Sequence, residues 1–220
     1  MNSSYVVGID VGGQTSKLGV VDARGSVLAQ TVIRTDTYDT VEPYIAELAA
    51  AVKKVIAESG TEGKIRGVGV GAPNGNYYTG TIEAAPNLRW GHNKVEFAKL
   101  LSEALGGMPV ALTNDANAAA VGEMTYGAAR GMKNFIMITL GTGVGSGIVI
   151  NGEVVYGHDG FAGELGHTAA VRNNGRACGC GRSGCLEAYC SAMGVARTAR
   201  EWLELTDEPS VLRSLDNIAS

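Results

Sequence analysis

Four side chains between residues 163 and 187 have the types and spacing of a tetrahedral metal site. His167, Cys178, Cys180 and Cys185 supply one nitrogen and three sulfurs, a full zinc set. The run Cys-Gly-Cys-Gly-Arg-Ser-Gly-Cys places three thiols within eight residues, with three glycines between them. Glycine lets the backbone turn through positive φ, so three sulfurs can converge on one point. Two other chemistries compete for the same residues. A disulfide is one, but Cys178 and Cys180 are too close in sequence to pair comfortably. A catalytic thiol is the other, but a lone nucleophile needs no pair of close cysteine neighbours. The set predicts a closed, structural zinc site, because four protein ligands leave no position for an activated water. Glu164 and Glu187 bracket the cluster, and Cys190, in an apolar stretch beyond it, reads as a buried helix residue.

A second group of residues has the makings of phosphoryl transfer to a hydroxyl. That chemistry needs a phosphate cradle, a metal to spread developing charge, and a carboxylate to accept a proton. Gly12 and Gly13, after the apolar run that ends in Asp10, offer backbone N–H groups to a phosphate, with Thr15 beside them. Gly141, Thr142 and Gly143 open a second glycine run, which continues to Gly147. Asp10 is the candidate metal carboxylate and Asp115 the candidate base. Each has a plainer reading: Asp10 as the capping acid of an ordinary hairpin, and Asn114 or Asp115 as a helix N-cap. Neither glycine run fits G-x-x-x-x-G-K-[ST], and neither opens a helix as a dinucleotide fingerprint does. Asn87, Asn114, Asp115, Glu164, His167 and Glu187 could surround the hydroxyls of a sugar ring.

The elements that must position these groups alternate between strands and helices. Residues 5–10, 16–21 and 26–33 read as three strands joined by tight turns, and 65–71 and 109–113 as short buried strands. Residues 40–59 read as a helix, with Pro43 in the first turn and Gly60 ending it; 95–105 and 116–129 read as two more. Segments 71–80 and 85–90, rich in tyrosine and tryptophan, read as a pocket wall or as plain surface loops. Strands alternating with helices predict an α/β fold with parallel pairing, and ligands of such sheets bind beyond the strands' carboxyl ends. Asp10, Gly71 and Asp115 all stand at such ends. Residues 134–140 and 148–150 repeat the opening pattern of strand, glycine turn and strand, and Asn151-Gly152 signals a hairpin. Residues 186–205 read as one helix, with further helical character to 220. The expected division is an N-terminal α/β lobe over 1–113 and the start of a C-terminal lobe over 114–220.

Composition bounds the rest. The chain has 220 residues, 45% hydrophobic, with 32 glycines and a net charge of −4. This is enough apolar content for a substantial core. No basic stripe points to nucleic acid, and no run approaches the roughly 18 apolar residues that span a membrane. Met1 to Ser4 carry no signal segment, and cysteines that read as metal ligands fit a reducing cytoplasm.

Glu-Leu-Gly-His167 followed by Cys-Gly-Cys-Gly-Arg-Ser-Gly-Cys-Leu-Glu187 resembles the signature of the ROK family of repressors, open reading frames and sugar kinases. Asp10-Val-Gly-Gly13 and Leu140-Gly-Thr-Gly-Val-Gly-Ser-Gly147 resemble its two phosphate motifs. Asn114-Asp-Ala-Asn-Ala118 is similar to the segment carrying its catalytic aspartate, and Ala85-Pro-Asn-Leu-Arg-Trp90 to the sugar loop of its glucokinases. Gln14-Thr15 stands where many members have Thr-Lys, so the contact there would come from Thr15 or from backbone. The resemblance implies an actin-like, hexokinase-like (ribonuclease H-like) two-lobed fold that closes over the sugar, with the second lobe incomplete in a chain ending at Ser220. It implies a structural Zn2+, Mg2+ with ATP, a hexose as acceptor (glucose above all), and a dimer or tetramer. A fragment of this kind is expected to phosphorylate poorly on its own. Within the same resemblance two other readings stay open: a non-catalytic sugar-sensing module, and a transcriptional regulator, which would need a basic recognition helix that does not appear.

Overall fold

The computed structural model describes residues 4–215. The expectations for Met1 to Ser3 and for helical character over 216–220 lie outside the described residues. Three strands open the chain: β1 (Tyr5–Val11), β2 (Thr15–Val21) and β3 (Val27–Arg34). Helix α1 (Val41–Ser59) crosses over to β4 (Ile65–Ala72). A two-residue hairpin, β5 (Gly75–Asn76) and β6 (Thr81–Ile82), precedes α2 (Phe97–Ala104), β7 (Val110–Asn114) and α3 (Asp115–Tyr126). Then come β8 (Phe135–Leu140), β9 (Val144–Ile150) and β10 (Glu153–Val154), and finally α4 (Glu187–Cys190) and α5 (Ala192–Leu205). The main sheet has the order β3-β2-β1-β4-β7, and a second has the order β10-β9-β8. β1 runs antiparallel to β2 and parallel to β4, and β4 runs parallel to β7.

The chain forms two compact units, Met1–Phe135 with Ile148–Ala162, and Ile136–Gly147 with Gly163–Ser220. β7 pairs with β4, and Asn114 at its end caps α3, so strand and helix stay in one unit.

In the first unit, alternation along β1 buries Val7, Ile9 and Val11 and turns Asp10 outward. Tyr44, Leu48, Val52 and Val55 of α1 and Phe97 and Leu101 of α2 fill the core. Tyr44 carries a hydroxyl into it. That hydroxyl bonds Ser16 Oγ at 2.7 Å, and Ser16 Oγ bonds Thr35 Oγ1 at 2.7 Å, so the buried polar atoms satisfy one another. Burial pushes the Tyr44 phenol up to about 12. Gly60 ends α1 in the left-handed region at φ 63°, as the sequence predicts. Asn151 and Gly152 take φ values of 55° and 82°, the pair that a type I′ turn between β9 and β10 requires.

Four expectations need correction. α2 begins at Phe97 rather than Val95, because Val95 exchanges backbone bonds with Ile82 at 2.9 and 3.0 Å. α3 ends at Tyr126 instead of Ala129: Gly127 is extended (φ −104°, ψ −151°), and the Glu123 carboxylate accepts the Ala128 N–H. The segment read as loop after β4 contains the β5–β6 hairpin. The helix over 186–205 is two helices. Ser191 is extended (φ −68°, ψ 165°) and its hydroxyl caps α5 by accepting the Gly194 N–H at 3.1 Å. A Cβ on Gly194 would stand 2.8 Å from Tyr189 N, so glycine permits the sharp turn there.

Candidate functional site

The first unit gathers its candidate residues at the carboxyl ends of adjacent strands. Asp10 on β1 is level with Gly71 on β4, and Gly71 with Thr113 on β7, directly before Asn114 and Asp115. Gly71 is closely packed: a Cβ there would crowd Ala118 Cβ at 3.1 Å and touch Asp115 Cα at 3.5 Å. The first turn of α3 is therefore pressed onto the end of β4. Asn114 is the N-cap, its Oδ1 accepting the Ala116 N–H at 2.9 Å, and Asp115 Oδ1 accepts the same N–H at 2.8 Å. The capping reading thus holds for Asn114. Asp115 is exposed by surface area, with surrounding protein partly desolvating its carboxyl. That partial burial raises its pKa above the ordinary aspartate value, helped by the negative charge of Asp10 and opposed by the Ala116 N–H. A raised carboxyl at a strand end suits a proton acceptor.

The first glycine turn is closed by Gly12 N–H donating to the Thr15 carbonyl at 3.0 Å. A Cβ on Gly13 would stand 2.8 Å from the Asn87 carbonyl oxygen, so this turn and the Asn87 loop touch backbone to backbone. Ala85, Leu88 and Trp90 are buried around that loop, which leaves Asn87 exposed. Asp10, Thr15, Asn87, Asn114 and Asp115 all belong to this unit.

The second unit holds the metal-ligand set. The ligand atoms of His167, Cys178, Cys180 and Cys185 lie within 4.8 Å of one another. Cys180 Sγ is 3.6 Å from Cys185 Sγ, and Cys178 Sγ is 3.6 Å from His167 Nδ1. A disulfide holds its sulfurs at about 2.05 Å, and all four cysteines are free. A tetrahedron with metal–sulfur arms of about 2.3 Å has edges of about 3.8 Å, which matches these separations. The backbone N–H of Arg182 draws the Cys180 thiol down to about 6, while burial pushes Cys178 up to about 11. A divalent cation favours the thiolate at both. Cys190 is half-buried at the end of α4, outside the set.

His167 turns Nδ1 to the cluster and holds Nε2 3.9 Å from Glu164 Oε2. Ser146, buried on β9, donates to the Gly163 carbonyl and so fixes the turn that carries Glu164. Glu187, first residue of α4, accepts the Val144 N–H on Oε2 at 2.8 Å, at the end of the second glycine turn. Gly141 and Thr142 of that turn adjoin α5, whose Ala192 N–H donates to the Gly141 carbonyl at 2.8 Å. A cavity of about 200 Å³ lies between, lined by Thr142, Cys178, Glu187, Gly194 and Arg197.

Two groups escape sequence reasoning. Arg176 braces the knuckle: it donates to the carbonyls of Ala188 and Gly194, to Thr198 Oγ1 and to Glu201, and lies 4.7 Å over the Tyr189 ring. In the first unit Tyr77 stacks on Tyr156 at 4.2 Å, with Tyr78 edge-on to both. The aromatic loop was visible in the sequence, but its partner Tyr156 was not.

This sheet order, with carboxylates and glycine turns at the strand ends and a Cys3His knuckle, defines an α/β protein of the actin-like class. The ROK family pattern matches residues 6–219, and the chain belongs to the ROK family. A glucokinase of Halalkalibacterium halodurans is 40% identical over 203 residues, covering 91% of this chain and 61% of its own length. The crystal structure of a ROK family glucokinase from Streptomyces griseus in complex with glucose and AMPPNP has a TM-score of 0.74 at 35% identity. The match covers 92% of this chain and 62% of that one. A xylose repressor of Caldicellulosiruptor bescii is 30% identical over 188 residues, 84% of this chain and 46% of its own length. The chain spans about three fifths of the length of the curated glucokinases that it matches. Among the described residues no helix is long and apolar enough to cross a membrane.

Proposed function

We propose that this chain carries the sugar site and the phosphate turns of an ATP-dependent hexokinase of glucokinase type, which phosphorylates a hexose hydroxyl, most favourably that of glucose. The observation that carries the reading is Asp115, a partly desolvated carboxyl beside Asp10 at the aligned ends of β1, β4 and β7. Asp115 takes the proton from the attacking sugar hydroxyl, and its raised pKa brings it nearer the working pH of a general base. Asn114 spends its Oδ1 on the helix cap, which leaves its amide NH2 to donate to the sugar. Asn87, Glu164, His167 and Glu187 supply the remaining contacts. Gly13 and Thr15, with Thr142 and Gly143, offer backbone and hydroxyl donors to phosphate oxygens, while Gly12 and Gly141 close the two turns by donating to the Thr15 and Gly143 carbonyls, and Asp10 would hold Mg2+ that comes with ATP. Mg2+ spreads the charge that develops on the transferred phosphoryl group.

His167, Cys178, Cys180 and Cys185 would hold a structural Zn2+, whose full ligand set fixes the His167 ring. Two further expectations are a homo-oligomer, which rests on the family alone, and a cytoplasmic location, which rests also on cysteines that read as metal ligands rather than disulfides. The lobe division at 113/114 is likewise offered for the whole kinase.

The similarity to a xylose repressor favours a second reading, a sugar-sensing module without transfer. A coupled ADP-release assay over a panel of hexoses, on the full-length protein and its Asp115→Asn variant, separates the two. The kinase reading expects glucose-dependent turnover in wild type that Asp115→Asn abolishes while glucose binding persists. Binding with flat rates across the panel supports the sensor.

A further inference from the structure

The knuckle and the second glycine turn meet through one side chain. Glu187 begins α4 two residues after the ligand Cys185, and its Oε1 lies 3.9 Å from Cys178 Sγ. Its Oε2 accepts the Val144 N–H across 43 residues of sequence. The same oxygen occupies the place of a side chain on residue 143: a Cβ on Gly143 would stand 2.5 Å from it and meet no other residue's atoms within 4 Å. Gly143 is not among the glycines at positive φ, so its backbone would accept alanine. A side chain at 143 would have to displace the Glu187 carboxylate from the space that it fills.

We propose that Glu187 is a positioning residue for the glycine turn at 141–144, fixing through Val144 the N–H groups that this turn presents to phosphate. This role is additional to any sugar contact, and it rests on the phosphate-cradle reading for its consequence but not for its geometry. A charged acceptor on a backbone N–H makes a short, strong bond. A turn held in this way keeps its donors aimed before the ligand arrives, and such preorganisation is what a phosphate site needs. The anchor is itself braced, because α4 starts at the knuckle and α5 is tied to Gly141 through Ala192.

Amide exchange at Val144, read by NMR on the labelled 220-residue chain, tests the geometry directly. Glu187→Ala is expected to speed Val144 exchange at least tenfold, with Val149 unchanged. Glu187→Gln, whose amide oxygen can still accept, is expected to stay within about threefold of wild type. Gly143→Ala alone is expected to act like Glu187→Ala, since its methyl displaces the carboxylate. In the Glu187→Ala background it is expected to add nothing, because the obstacle is gone. Additive effects of the two substitutions, or unchanged Val144 exchange in a folded Glu187→Ala chain, would overturn the proposal.

The functional arm is AMPPNP binding by calorimetry. Glu187→Ala is expected to weaken it at least fivefold and Glu187→Gln less than twofold. Equal weakening by both variants would overturn the positioning role in phosphate binding. If the wild-type chain binds glucose but not AMPPNP, the phosphate consequence fails, and the exchange result still decides whether Glu187 fixes the turn.

Discussion

Arg176 offers the sharpest test of how the knuckle is held. Its side chain is 11% exposed and makes four hydrogen bonds, three through one guanidinium nitrogen and one to Glu201 at 2.6 Å. Its own backbone N–H donates to the Tyr189 hydroxyl at 2.8 Å. These bonds tie the segment two residues before Cys178 to both α4 and α5. Hydrogen bonds to a charged group contribute about 1.5–3 kcal/mol each, and bonds sharing one side chain do not add. Deleting Arg176 returns the exposed Glu201 carboxylate to water but leaves the Ala188 and Gly194 carbonyls without their donor, each at a cost of about 1–3 kcal/mol. That is a large share of the roughly 5–15 kcal/mol that holds a domain folded. Arg176→Ala is therefore expected to lose about 3–5 kcal/mol in urea denaturation, followed by circular dichroism and by the fluorescence of Trp202 on α5. Arg176→Lys keeps the charge but not the planar fork, and is expected to lose about 1–3 kcal/mol. Glu201→Gln should change little, since its carboxylate is solvent-exposed. If Arg176→Ala unfolds within about 1 kcal/mol of wild type, the network is ornamental and the argument fails.

Other outcomes follow from the same structure. Under the proposed kinase reading, turnover of the full-length protein should fall as pH drops through a value above the ordinary aspartate pKa, because desolvation raises Asp115 and a base must be ionised. The folded chain then holds more protons than the unfolded one between those two values, so Asp115 lowers stability as pH rises through that window. Asp115→Asn should consequently abolish transfer yet raise stability at neutral pH slightly, by under about 1 kcal/mol given the carboxyl's exposure, read as a small rise in melting temperature; a lower melting temperature would contradict the assigned environment. Metal analysis should find about one zinc per chain, since the set has four ligands and a closed site takes one ion. Cys180→Ser with a chelator should release it and lower the melting temperature, and a metal-free, equally stable wild type would contradict the site. Ser16→Ala strands the Tyr44 and Thr35 hydroxyls in the core and should cost about 1–3 kcal/mol by thermal denaturation.

What the sequence disclosed and what it hid divide along one physical line. Features written in neighbouring residues were legible: Gly60 ending α1, Asn151-Gly152 turning β9 into β10, and three of the four candidate metal ligands within eight residues. Features made by distant partners were not. α2 starts late because Val95 is taken by Ile82, and the helix expected over 186–205 breaks because Ser191 caps its second half. Arg176 carries no signal in the sequence, because the carbonyls that hold it belong to residues 12 and 18 positions further along the chain.

Glu187 shows why the candidate site was only half readable. Its place after Cys185 marked it as a site residue, and one purpose, sugar contact, was read for it. Its other partner, the Val144 amide, lies 43 residues earlier, and no periodicity or spacing connects them. The glycine at 143 did carry a signal, but an ambiguous one, since a glycine can mark a close approach by a ligand or by the protein itself. Here one atom of the chain already stands where the side chain would be. Part of a glycine-rich motif can therefore reflect the packing that aims the turn, and substitution at 143 should be read against the state of Glu187 before any loss is assigned to phosphate contact.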